Sequence, residues 1–124
     1  MKDGFFDGKE FASRDGAPSP YGPMNVKQEL VDFLNQLRLR FGKPLIVTSG
    51  YRSPEHNKAV GGVANSYHTK GLAADVAPMD AKDLNQLWQL ADSMNVTGGV
   101  GRYDTFVHVD RRGYAVRFDK RTKK

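Results

Sequence analysis

Ser66-Tyr67-His68-Thr69-Lys70-Gly71-Leu72-Ala73-Ala74-Asp75-Val76-Ala77 passes from a polar loop into an apolar run. Leu72 to Ala77 reads as a β-strand. Gly71, Ala73 and Ala74 are small enough for a backbone turn to bring a loop histidine, His68, and a strand aspartate, Asp75, to one point. Upstream, residues 49–67 are polar and Gly-rich, with Gly61-Gly62 and Asn65-Ser66, and form a long loop with a helical turn after Pro54. Loops of this length inside a compact domain are usually functional. Leu45-Ile46-Val47-Thr48, between Pro44 and Gly50, is a second strand. Before it, Leu30, Leu34, Leu37 and Phe41 fall on one face of an amphipathic helix over about 26–41. Asn25 and Gln28 have the spacing of a capping box at its start, and Gly42 and Pro44 end it.

Downstream, Asp80 and Asp83 are expected to cap a helix over about 81–94, with Leu84, Leu87, Trp88, Ala91 and Met94 as its apolar face. Strands follow at about 98–103 and 105–110, joined by a tight turn near Asp104, with a last one at about 114–118. This order predicts an α+β fold with a small antiparallel sheet and two main helices. Residues 1–23 are expected to be an irregular arm pinned by Phe5, Phe6, Phe11 and Tyr21. Residues 1–124 read as one domain, in which 113–124 hold the last strand and a basic tail.

Composition narrows the chemistry. At 39% hydrophobic and 27% charged residues, the chain can fill one core and is too apolar for a disordered segment. No run approaches the roughly 18 apolar residues of a membrane span, and no secretory signal is recognisable at the N-terminus. With no cysteine there is no disulfide, no thiolate zinc site and no cysteine nucleophile, so any metal must be held by His, Asp or Glu. The net charge of +5 favours an anionic partner such as nucleic acid or cell-wall polymer, and is equally compatible with a merely soluble surface.

The chain has only three histidines, His56, His68 and His108. In Phe106-Val107-His108-Val109-Asp110, strand alternation puts Phe106, His108 and Asp110 on one face. Two histidines and a carboxylate (His68, His108 and Asp75) form the ligand set of a catalytic zinc with a fourth position open to water. Such an ion acidifies water and polarises a carbonyl, which suits amide hydrolysis. Against this, a lone histidine in a small domain is more often surface or satisfied core. His56, in Pro54-Glu55-His56-Asn57, reads as surface or groove rim.

Ser49-Gly50-Tyr51-Arg52-Ser53, Asn57, Val60-Gly61-Gly62 and Ser66 through Asp75, followed by Gly98-Gly99-Val100-Gly101 and Phe106 through Asp110, closely resemble the zinc D-alanyl-D-alanine carboxypeptidase family. That family includes murein carboxypeptidases, vancomycin-resistance dipeptidases and phage L-alanyl-D-glutamate endolysins, and the likeness covers roughly residues 26–112. The resemblance implies the hedgehog/DD-peptidase fold, Zn2+ as cofactor, and His68, Asp75 and His108 as its ligands. It makes Arg52 the arginine that binds substrate and stabilises the developing oxyanion, a role open to a fixed guanidinium. It also makes Ser66 a substrate contact, although a turn-forming hydroxyl accounts for Ser66 as well. Tyr67 and Tyr103 are candidates to polarise a carbonyl, or simply packing. Gly61 and Gly62 need only be a turn.

One position departs from the family. Its dipeptidases and endolysins place a Glu or Asp three residues before the last ligand as general base, where this chain has Thr105. Asp104 and Asp110 are the substitutes: Asp104 from a turn tip, Asp110 as base or as a partner that orients a ligand. The carboxypeptidase branch tends to lack that Glu, so the departure points there. The function expected is zinc-dependent hydrolysis of a peptide bond in the peptidoglycan stem or cross-link. The partners expected are peptidoglycan peptides, with no specific nucleic acid, no membrane insertion and a monomeric chain. The expected setting is a phage or prophage product released by a holin or carried on a virion, or else a bacterial protein exported by another route. A cell-wall-binding module that keeps zinc but does not cleave is the alternative, ahead of a basic nucleic-acid binder. Arg111, Arg112, Arg117, Lys120, Arg121, Lys123 and Lys124 read either as a solvated, frayed terminus or as a patch that attracts anionic polymer.

Overall fold

A computed structural model describes residues 1–122, so Lys123 and Lys124 of the basic tail lie outside the described residues. The core strands are β3 (Leu45–Ser49), β4 (Ala73–Pro78), β5 (Gly99–Arg102), β6 (Val107–Asp110) and β7 (Val116–Asp119). They form one sheet in the order β3-β4-β6-β5-β7. Its pairs are antiparallel except β5 with β7, which run parallel. The fold is therefore α+β as expected, but the sheet is mixed. The last strand joins the far side of β5 rather than extending a meander.

Helix α1 (Gln28–Phe41) and helix α3 (Leu84–Met94) pack on one face of this sheet, and the short α2 (Pro54–Ala59) lies in the long loop after β3. Period-two alternation sorts the strands between the two faces. Ala74 and Val76 of β4, Val100 of β5, and Val107 and Val109 of β6 point into a core with Leu30, Leu34, Leu37, Leu87 and Ala91. Asp75, His108 and Asp110 alternate with those residues and emerge on the face the helices leave open.

Residues 1–23 are more regular than expected. Strands β1 (Lys2–Asp3) and β2 (Phe6–Asp7) form a small hairpin, and Asp7 with Glu10 makes a capping box around a 3-10 turn over Gly8–Phe11. The capping box expected at Asn25 and Gln28 does not form. Asn25 adopts a left-handed conformation and spends its amide on the Gly8 carbonyl, while Gln28 reaches Asp3 and Asp32. Tertiary ties to the arm thus displace the local cap, and α1 starts without a side-chain cap. A 3-10 turn (Ala81–Asp83) capped by Asp80 precedes α3, and Asp83 bonds Lys43 instead of capping. Among the described residues, no helix is long and apolar enough to cross a membrane.

The arm is clasped to the segment around Arg52. Tyr51 N–H donates to the Phe11 carbonyl, Ser53 N–H donates to Ser13 Oγ, and the Ser13 and Ser53 hydroxyls both donate to Asp15. The two hydroxyls and the Ala17 amide hold the Asp15 pKa down to about 2. A depressed folded-state pKa gives stability that is present above the ordinary value of about 3.9 and lost as pH falls. An Asp15→Asn variant is therefore expected to melt below wild type at neutral pH, with the gap closing between about pH 4 and pH 2. Melting curves of both proteins across that range check it, and a gap independent of pH would refute it.

Candidate metal centre

Strand register builds the centre. Asp75 of β4 lies directly opposite His108 of β6, and Gly101 of β5 faces His108 from the other side. His68 arrives from the loop that turns at Gly71. One ligand atom from each of His68, Asp75 and His108 lies within 4.8 Å of the others, and all three residues are buried. Asp75 Oδ1 is 3.4 Å from His68 Nε2 and 3.0 Å from His108 Nδ1. Atoms that share one zinc ion at about 2.0–2.2 Å sit roughly 3–3.5 Å apart, so the two separations from Asp75 suit a single ion.

The outer nitrogen of each ring is fixed as well. His68 Nδ1 is 2.8 Å from the Gly50 carbonyl, which can only accept, so Nδ1 donates there and Nε2 is turned to the centre. His108 Nε2 donates to Asp110 Oδ2 at 2.7 Å, which leaves Nδ1 for the centre. Burial alone would raise the Asp75 pKa, but hydrogen bonds from His108 and His68 outweigh it and hold the carboxyl well below the usual range. Burial opposes charge on His108, yet Asp110 and Asp75 on either side push its pKa up.

The centre forms the floor of a groove of about 570 Å³, whose walls include Arg52, Gly62, Val63, Ser66, Tyr103 and Lys120. Arg52 is held at three corners: Nε donates to Ser49 Oγ, Nη1 to Asn57 Oδ1, and Nη2 lies 3.5 Å from Asp75 Oδ2. Tyr103 stacks on Phe106, and burial together with the Asp75 charge raises its pKa, so its hydroxyl keeps its proton. Ser66 Oγ accepts from His68 N–H, the bond of a turn-forming hydroxyl, and Ser66 also lines the groove. The Tyr67 ring carries Lys70 and Arg112 as cation–π partners.

Neither substitute carboxylate opens into this groove. Asp104 accepts from Thr122 N–H and Oγ–H and lines a separate cavity with Trp88 and Arg121. Asp110 is 0% exposed and accepts from His108 Nε2, Gly99 N–H, and the Arg112 amide, Nε and Nη2. Five donors occupy its oxygens, a geometry that suits a partner orienting His108 and leaves little capacity to take a proton from the groove. His56 sits on α2, where its amide bonds Ser53 Oγ, and it takes no part in the metal group.

The basic cluster is also corrected, since most of it is not frayed. Arg112 pairs with Asp110, Arg117 with Asp92 and Arg121 with Asp119, while Arg111 bonds Asn95 and lies over Phe33. Sequence reasoning missed Arg112 as the clamp on Asp110. The available signal was a charge pair two residues apart beyond a buried strand. It also gave Asn57 no role.

A sequence model described as peptidase M15 matches residues 6–110, most of the chain. No curated protein matches the sequence.

Proposed function

This chain belongs to the peptidase M15 family, the zinc D-alanyl-D-alanine carboxypeptidases, and we propose that it hydrolyses a peptide bond in the peptidoglycan stem or cross-link, as a DD-carboxypeptidase-like enzyme or a murein endopeptidase. The observation that carries this reading is the convergence of His68 Nε2, His108 Nδ1 and the Asp75 carboxylate at the floor of an open groove. Zinc held by those three residues would supply a Lewis acid and an acidified water.

The chain's own residues supply the rest. Three of the five guanidinium donors of Arg52 are engaged, so two remain for a substrate oxygen. Held in place, they favour an oxygen that gains negative charge during the reaction. The protonated Tyr103 hydroxyl offers a further donor on the same wall. Arg52, Arg112 and Lys120 make the groove electropositive, which suits peptides bearing carboxylates. The setting we propose is a phage or prophage product that reaches the wall through a holin or on a virion. A net charge of +5 supports encounter with anionic wall polymer, and export by another bacterial route is the alternative.

A second reading, a zinc-containing wall-binding module without turnover, is favoured by one feature. Among the described residues, no carboxylate besides Asp75 lines the groove. Digestion of purified peptidoglycan by zinc-loaded protein, with a chelator control and mass spectrometry of the products, separates the two. Chelator-sensitive loss of D-Ala, or a cut at another defined bond, is expected. Protein carrying one zinc that releases nothing would establish the binding module instead.

A further inference from the structure

We infer that Asn57 is a positioning residue whose single side-chain amide sets the placement of Arg52 and of the adjoining groove wall at Gly62 and Val63 together. Asn57 is 4% exposed on α2. Its Oδ1 accepts from Arg52 Nη1 at 3.3 Å, and its Nδ2 donates to the Val63 carbonyl at 2.8 Å. Its backbone carbonyl accepts from Gly62 N–H at 2.8 Å. Both ties from Gly62 and Val63 to α2 therefore run through Asn57.

The chemistry requires an amide. A guanidinium can only donate and a carbonyl can only accept, so the bridging group needs an acceptor and a donor side by side. Aspartate would set a carboxylate oxygen against the Val63 carbonyl, and alanine would take the acceptor from Arg52 Nη1 and leave the Val63 carbonyl with the Ser66 N–H alone of its two donors. Gly62 lies so close that a Cβ there would run into Asn57 Oδ1, which explains glycine at this position without any unusual dihedral. The base of the bridge is rigid, because Ser53 caps α2 through His56 N–H and is itself bonded to Ser13 and Asp15. Besides the Asn57 amide, the Val63 carbonyl accepts from Ser66 N–H at 3.1 Å, while the Val63 side chain, at the rim, is 74% exposed.

The consequence for catalysis rests on the reading of Arg52 as the group that faces the substrate oxygen. Nitrogen-15 NMR of the arginine side chains in zinc-loaded protein tests the positioning independently of turnover. Separate, slowly exchanging Arg52 Nη signals are expected in wild type and averaged ones in Asn57→Ala. Gly62→Ala, which pushes a methyl into Asn57 Oδ1 and deletes no hydrogen-bonding group, is expected to average them too and guards against a folding defect in the first variant. On peptide substrate, Asn57→Ala is expected to lower kcat about ten-fold and raise KM, whereas in an Arg52→Lys background only the KM effect should remain. Unchanged Arg52 signals in both variants, or an equal kcat loss in both backgrounds, would overturn the inference. Averaged signals in a protein whose wild type releases no product would uphold the positioning and refute the peptidase reading.

Discussion

Replacing Asp75 by asparagine is expected to abolish zinc-dependent turnover and zinc uptake while leaving a folded chain. Asp75 Oδ1 stands between His68 Nε2 and His108 Nδ1, and Oδ2 faces Arg52 Nη2. It is the only negative charge among the three ligands. Asparagine keeps the volume and one oxygen but removes that charge, so two rings and a guanidinium would then meet a dication without compensation. The fold is spared because the β3–β4 and β4–β6 ladders bind through the backbone, and Ala74 and Val76 keep their places in the core. A ligand at 100 times its Kd stabilises the native state by about 2.7 kcal/mol, a rise in melting temperature on the order of 10 °C for a domain of this size. Wild type is expected to show that rise with zinc, and Asp75→Asn none, alongside less than one-tenth of an equivalent of metal and turnover at background. A variant that holds a full equivalent of zinc and cleaves at the wild-type rate would remove Asp75 from the centre.

His108 was legible because strand alternation assigns it a face, Asp75 because the small residues Gly71, Ala73 and Ala74 let it meet His68, and α1 and α3 because their apolar residues repeat at helical spacing. Local pattern does not carry register. That Asp75 stands opposite His108, and that Gly99 and Gly101 stand opposite Asp110 and His108, follows from pairings between residues far apart in sequence. With those pairings known, the glycines explain themselves, since a side chain at 99 would strike the Asp110 carboxylate and one at 101 the Phe118 ring. The parallel placement of β7 and the clasp of Asp15 on Ser53 escaped for the same reason. At Asn25 a correct local signal lost to a tertiary one, because its amide ties down the arm at Gly8. The function of Asp110 needed two facts that lie outside its own strand: the Arg112 clamp and the total burial of the carboxylate.

Asp110→Ala is expected to damage the fold itself, which sets it apart from Asp75→Asn. Burial alone would raise the Asp110 pKa, but the Arg112 and His108 hydrogen bonds outweigh it and hold the carboxyl ionised, far below the usual range. Removal of the carboxylate leaves the Gly99 N–H, His108 Nε2–H and the Arg112 guanidinium without their acceptor at once. Breaking a buried ion pair by deleting one partner costs about 3–5 kcal/mol, a large share of the 5–15 kcal/mol that holds a typical domain. At roughly 3–6 °C per kcal/mol, the melting temperature should fall by more than about 10 °C. Asp110→Asn is the gentler variant. It keeps the shape and one acceptor, but turns an amide N–H toward either His108 or Arg112, both of which are donors. It should fold, release the His108 ring from its fixed orientation, and bind zinc about 10–100-fold more weakly, as loss of a ligand's outer partner does elsewhere. Zinc titration of Asp110→Asn is the deciding measurement. Wild-type affinity in that variant would show that His108 is oriented by its strand and by Phe118 alone, whereas the expected loss assigns the ring's orientation to the carboxylate behind it.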